Sequence, residues 1–126
     1  KHKAFAEADA ALAASGTVTL ELSLIGVPTV AFYKTDVVAR FLIPILNRSW
    51  SGSLPNLIAD EPLLPESYNE QAHPRRLERQ LEQLLTIGPA RQVQIDGFDR
   101  LRTRMHCDEP PGIKSARLVL DLMRKA

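Results

Sequence analysis

Hydrophobic positions along this 126-residue chain change rhythm from one part to the next. Residues 10–14 are short, small and apolar, as in a buried parallel strand. Thr17 to Ile25 keeps helical spacing, with Val18, Leu22 and Ile25 at i, i+4 and i+7. Gly26 suits a helix C-cap, and Pro28 prevents continuation. Thr29-Val30-Ala31-Phe32-Tyr33 then reads as a second buried strand, so strand, helix and strand predict a βαβ unit with a right-handed crossover. Ahead of it, residues 3–8 read as the end of a helix running into Asp9.

Val37 to Leu46 is apolar on nearly every side, flanked by Arg40 and Arg48 and interrupted by Pro44. Such a helix is either buried or touches lipid, so a core or interdomain helix and a surface for acyl chains are both open. Ser49 to Gly52 reads as a loop. Leu54 to Ala59 is predicted as a short strand or extended segment, because Pro55 disfavours helix at Leu54. Asp60 to Pro65 is predicted as a loop, and the C-terminal third as helices. Three stripes carry that reading: Leu77, Leu81, Leu84 and Leu85; Phe98, Leu101 and Met105; and Ile113, Ala116, Val119, Leu120 and Met123. Gly88-Pro89 and Pro110-Pro111-Gly112 separate them.

Composition narrows the function classes. The length allows one domain at most, and 44% hydrophobic residues is ordinary for a globular chain. A formal charge of +1 gives no field that calls for nucleic acid. One cysteine, Cys107, excludes an internal disulfide framework and a Cys-based zinc site. No apolar run reaches the roughly 20 residues that span a bilayer, and no secretory signal is expected. The start at Lys1-His2-Lys3, without an initiator Met, leads us to expect a fragment or a processed chain.

Candidate chemistry sits at the first turn. Ser15-Gly16-Thr17 is a small-residue turn that lets a phosphate approach the backbone, and the helix behind it aims its free N–H groups at that phosphate. Glu21 lies four residues after Thr17, on the same helix face. A carboxylate there repels phosphate but can accept two hydrogen bonds from a vicinal diol such as a ribose. Diphosphate and ribose together suggest a nucleotide diphosphate. A plain helix cap with a solvated Glu has the same spacing. Asn56 in a Pro-Asn turn can simply bond its own backbone, and Glu66 after Pro65 can cap a following helix. His73, before Pro74, reads as a cap; His2 and His106 are isolated, and no Ser-His-Asp or Cys-His set can be assembled. There is no Asp-x-Asp motif for a divalent ion, and Asp60-Glu61 and Asp96/Asp99 read as solvated surface.

Ser15-Gly16-Thr17…Glu21, Gly26-Val27-Pro28, the Val30 to Lys34 strand, Ser53-Leu54-Pro55-Asn56-Leu57-Ile58-Ala59 and Pro65-Glu66, in that order, resemble the C-terminal part of the lipid-A-disaccharide synthase family. The resemblance runs from about Phe5 to the end, with departures at Arg48 to Gly52, Asp60-Glu61 and Ser67 to Glu70. It implies an α/β fold: a partial Rossmann-like parallel sheet of a C-terminal GT-B domain, followed by C-terminal helices. Residues 1–72 would be the nucleotide-sugar-binding part and 73–126 the helices. The opening strands of that domain would be absent, leaving the first strand with an unpaired edge. Ser15, Gly16, Thr17 and Glu21 would bind the nucleotide, with Ser53, Asn56 and Glu66 as weaker substrate contacts. The implied reaction moves diacylglucosamine from a UDP donor to an acylated glucosamine 1-phosphate, without a metal cofactor. Its general base is expected in the N-terminal domain. The implied setting is cytoplasmic and peripheral to the inner membrane, with self-association through the C-terminal helices. Another GT-B UDP-sugar transferase or epimerase, and a non-catalytic helical interaction module, are the alternatives.

Overall fold

A computed structural model of the chain describes residues 2–14, 16–34 and 49–125. Its elements run α1 (His2–Ala6), β1 (Ala11–Ala13), α2 (Gly16–Ile25), β2 (Thr29–Tyr33), α3 (Leu54–Ala59), β3 (Glu66–Tyr68), a 3-10 turn (Asn69–Gln71), α4 (Pro74–Leu85), α5 (Pro89–Met105) and α6 (Pro111–Lys125). The strands form one parallel sheet in the order β1-β2-β3. Ala11 to Ala13 pair with Thr29 to Ala31, and Ala31 to Tyr33 pair with Glu66 to Tyr68. The fold therefore contains the βαβ unit that the pattern predicts, within the α/β, partly Rossmann-like arrangement that the resemblance implies. The Val37 to Leu46 segment lies outside the described residues.

Two differences from the sequence reading concern Pro55 and Glu66. Leu54 to Ala59 is a helix, with Pro55 in its first turn. There a missing N–H removes no intrahelical bond, so proline is tolerated. The helix stops at Asp60, which adopts a left-handed conformation (φ 58°, ψ 33°) and donates its N–H to Asn56 O. Glu66 does not cap a helix. It opens β3, anchored where Ala31 N–H donates to Pro65 O at 3.0 Å. Glu-Ser-Tyr has no apolar alternation to announce a strand, and pairing with the buried β2 makes it one.

Alternation along the strands divides the faces. Ala11, Ala13 and Ala31 pack toward α2, whose Leu22 joins Ala13 and Val27 in one buried cluster. Ala31 also meets Ala59, Leu63, Leu64, Phe98 and Leu101, which brings α3 and α5 onto that side. The opposite face meets α4, where Ser67 Oγ donates to Gln80 Oε1 at 3.3 Å. Gly97 lets α5 settle against the loop before β3, since a Cβ there would stand 2.3 Å from Leu63 Cδ2.

Polar side chains of α5 tie these layers together. Gln94, 3% exposed, accepts from Thr29 N–H at 2.7 Å. Its amide nitrogen donates to Thr29 O at 3.1 Å and Leu63 O at 2.9 Å. Arg102 donates to Leu24 O near the end of α2, and Arg104 to Ile58 O and Ala59 O at the end of α3. Cations placed there satisfy carbonyls that a helix C-terminus leaves free. By contrast, α6 is exposed along its described side chains; Ile113, Val119, Leu120 and Met123 of the third stripe are 53–70% accessible.

Candidate functional site

All three strands are parallel, so Ala13, Tyr33 and Tyr68 end on the same rim of the sheet. In open α/β sheets that rim is where ligands bind. Gly16 opens α2 just beyond β1, and the first N–H groups of any helix lack intrahelical partners. Thr17 is exposed on that first turn, while Thr19 is fully buried and donates its hydroxyl back to Gly16 O at 2.9 Å. Glu21, one turn further along, is half-buried and its Oε2 is secluded from solvent. Ser15 lies outside the described residues.

The segment before α3 closes over this turn. A Cβ on Gly16 would lie 3.5 Å from Leu54 Cγ and 3.8 Å from Gly52 O. Ser53 occupies the N-cap position of α3 in an extended conformation (φ −97°, ψ 125°), fully buried, and its side chain makes no capping bond. Its N–H donates to Ser51 Oγ at 3.1 Å. The single Ser51 proton goes to Glu66 Oε2 at 2.8 Å, with Ser53 O a poorer alternative at 3.4 Å. Glu66 Oε1 is buried with no hydrogen-bond partner among the described residues.

Two tyrosines complete the rim. Tyr33 and Tyr68 stack with ring centroids 5.2 Å apart and planes 20° from parallel. Tyr33 donates its hydroxyl to Gly52 O at 3.2 Å, and Gly52 N–H donates to Tyr68 Oη at 2.8 Å. Burial pushes both phenols up, and the Glu66 carboxylate pushes them further; Tyr68 reaches about 12. The Ser53 hydroxyl lies near enough to Tyr33 to offset part of that rise, though outside the geometry of a full hydrogen bond.

Gly16, Ser53 and Glu66 are thus linked through residues 51–54. Asn56 has a different occupation. It is 1% exposed, its amide nitrogen donates to Leu64 O at 3.1 Å, and its carbonyl accepts from Leu64 N–H at 2.8 Å. That clip closes the loop between α3 and β3. His73 caps α4, accepting from Arg75 N–H at 3.4 Å. Ser51, Gly52, Tyr33 and Tyr68 escaped the sequence reading. Tyr33 could have been singled out as an aromatic residue ending a strand on the binding rim; Tyr68 carried no signal while β3 went unread. Among the described residues, no group of three or more His, Cys, Asp or Glu is placed to hold a metal ion, and no helix is long and apolar enough to cross a membrane.

Comparison with known proteins points to one family. The family described as lipid-A-disaccharide synthetase matches residues 1–113. The lipid-A-disaccharide synthase of Bradyrhizobium diazoefficiens is 40% identical over 99% of this chain and 32% of its own length. That of Nitrobacter winogradskyi is 41% identical over 100% of this chain and 32% of its own length. A probable mitochondrial lipid-A-disaccharide synthase of Arabidopsis thaliana is 34% identical over 86% of this chain and 24% of its own length. The chain spans about a third of the length of the bacterial relatives it matches. With a parallel βαβ rim in place and the family match running through α5, the chain belongs to the lipid-A-disaccharide synthase family.

Proposed function

We propose that this chain forms the donor-nucleotide side of a lipid-A-disaccharide synthase. The observation that carries the reading is the start of α2 at Gly16, on the ligand-binding rim of a parallel sheet, in a chain of that family. The first N–H groups of α2, with Ser15 and Thr17, would hold the diphosphate of a UDP-sugar. Glu21 would accept the ribose hydroxyls. Ser53 and Glu66 border the same turn and would meet the sugar side. Asn56 supports the site from behind through Leu64.

In the whole protein, an acceptor hydroxyl oxygen of the acylated glucosamine 1-phosphate would attack C1 of the diacylglucosamine donor. The C1–O bond to UDP breaks, the anomeric centre inverts, and the β-1′,6 linkage forms. The acceptor proton passes to a general base in the N-terminal part of the protein. The departing diphosphate charge is met by fixed N–H donors and the helix dipole, so the proposal needs no divalent ion. In this reading the reaction runs at the cytoplasmic face of the inner membrane with the protein held peripherally, and the acyl chains of the substrates support a membrane surface. Self-association through the C-terminal helices belongs to the same reading, supported by the exposed apolar residues of α6.

The test is UDP binding by calorimetry to the full-length protein, with and without chelator, and to Glu21→Gln. Removing the charge from the ribose contact should weaken binding by about 1.5–3 kcal/mol, and chelator should leave it unchanged. Equal affinity in the two proteins removes Glu21 from the site.

A further inference from the structure

Gly52 is held at both of its polar groups, and by a different tyrosine at each. Tyr33 donates to its carbonyl, and Tyr68 accepts from its N–H. The two rings stack, so each fixes the other. A Cβ on Gly52 would stand 2.8 Å from Tyr68 Oη, whereas its distances to Tyr68 Cε1 (3.5 Å) and Tyr33 Cε2 (3.6 Å) are ordinary contacts. The peptide therefore fits the clamp only without a side chain. On its other side, Gly52 O lies 3.8 Å from the position a Gly16 Cβ would take, against the opening residue of α2.

We propose that Tyr33 and Tyr68 are positioning residues that hold the Gly52 carbonyl away from the N-terminus of α2, leaving its N–H groups open to the donor diphosphate. This rests on the nucleotide reading given above. A carbonyl oxygen beside a helix N-terminus is a natural acceptor for the N–H groups there. With the Tyr33 proton removed, Gly52 O loses the donor that occupies it and can turn toward α2. It would then compete with an anion for the same donors, and its negative end would repel that anion. The Tyr68 contact acts on the other end of the same residue, resisting that rotation. Neither tyrosine needs to touch the ligand. The clamp acts on the phosphate side alone, so a nucleoside lacking phosphate should not sense it.

The test compares UDP with uridine in the full-length protein, by calorimetry, for Tyr33→Phe, Tyr68→Phe, Gly52→Ala and the double variant Gly52→Ala/Tyr68→Phe. Each phenylalanine variant keeps its ring and loses only the hydroxyl. Both should weaken UDP by about three- to tenfold, the size of one hydrogen bond, and leave uridine unchanged. Gly52→Ala should weaken UDP more than either. Removing Tyr68 Oη from its path should restore the double variant to the level of Tyr68→Phe, a rescue that a loss of general stability would not produce. Equal losses for UDP and uridine, or a double variant worse than Gly52→Ala, overturn the clamp. Tyrosine variants that bind UDP like wild type, beside a weakened Glu21→Gln, overturn the clamp and leave the nucleotide site standing. If Glu21→Gln also binds like wild type, the nucleotide reading falls and the clamp with it.

Discussion

Replacing Gln94 with Met should open the sheet at β2. The side chain is buried and serves three main-chain groups: Thr29 N–H, Thr29 O and Leu63 O, at 2.7–3.1 Å. Methionine keeps the length and adapts to the space, so packing changes little. All three bonds are lost, however, and Thr29 is itself fully buried, so water does not replace them freely. Each orphaned buried group costs about 1–3 kcal/mol; shared relaxation brings the total to about 3–5 kcal/mol. That is a large part of the 5–15 kcal/mol that typically holds a domain together. Native-state hydrogen exchange reads the effect where it occurs, because the Thr29 amide is the group released. Its protection should fall by about a hundredfold or more. Gln94→Glu sharpens the test: it retains an acceptor for Thr29 N–H but turns a carboxylate toward two carbonyls. It should be worse than Met near neutral pH and recover on acidification, when a protonated carboxyl can donate to one of them. A fall in protection below about fivefold for Gln94→Met, or no pH dependence for Gln94→Glu, would show that α5 is held by its apolar contacts and not by this network.

Two further expectations concern the rim. Asn56→Ala removes both bonds to the Leu64 backbone and should cost about 2–3 kcal/mol in urea unfolding, while the folded protein keeps its UDP affinity; weaker UDP binding at unchanged stability would make Asn56 a ligand contact instead. Tyr68 carries a phenol raised from 10.0 to about 12 by burial and then by Glu66, so the fold favours its neutral form. Its contribution is complete below pH 10 and fades as pH rises toward 12, so Tyr68→Phe should flatten the alkaline fall in melting temperature over that window; an identical fall in both proteins would place the alkaline sensitivity elsewhere.

The βαβ unit was legible because its signals are local. Thr29 to Tyr33 is a strand as read, and α2 starts at Gly16, one residue before the Thr17 start that its spacing predicts. The helices α4 and α5 follow their leucine and phenylalanine stripes, and His73 caps as its place before Pro74 suggested. What the sequence could not announce depended on distant partners. Pro55 is hostile to a helix interior and neutral in a first turn, and local sequence does not say which applies. Glu66 to Tyr68 is a strand only because β2 lies beside it. The Tyr33–Tyr68 pair joins positions far apart in the chain, and Gln94 reaches Thr29 across 65 residues. At the start of α2 the opposite holds: Gly16, Thr17 and Glu21 form a pattern readable in one glance, while the loop that covers it was not.

That 65-residue reach has a consequence for synthesis. A ribosome releases β1, α2 and β2 well before α5, so the turn before α2 leaves the tunnel without the helix that covers Ala31 and holds Thr29. Until Gln94, Phe98 and Leu101 emerge, the Ala31 side of the nascent sheet is only partly covered, by α2 and α3, and loop closure over that distance delays its completion. The nascent chain is then most vulnerable to aggregation and to chaperone capture between the appearance of Tyr33 and that of Leu101. Ribosome-arrested chains ending on either side of α5 should differ sharply in protease resistance at β2, although the strand itself is complete in both.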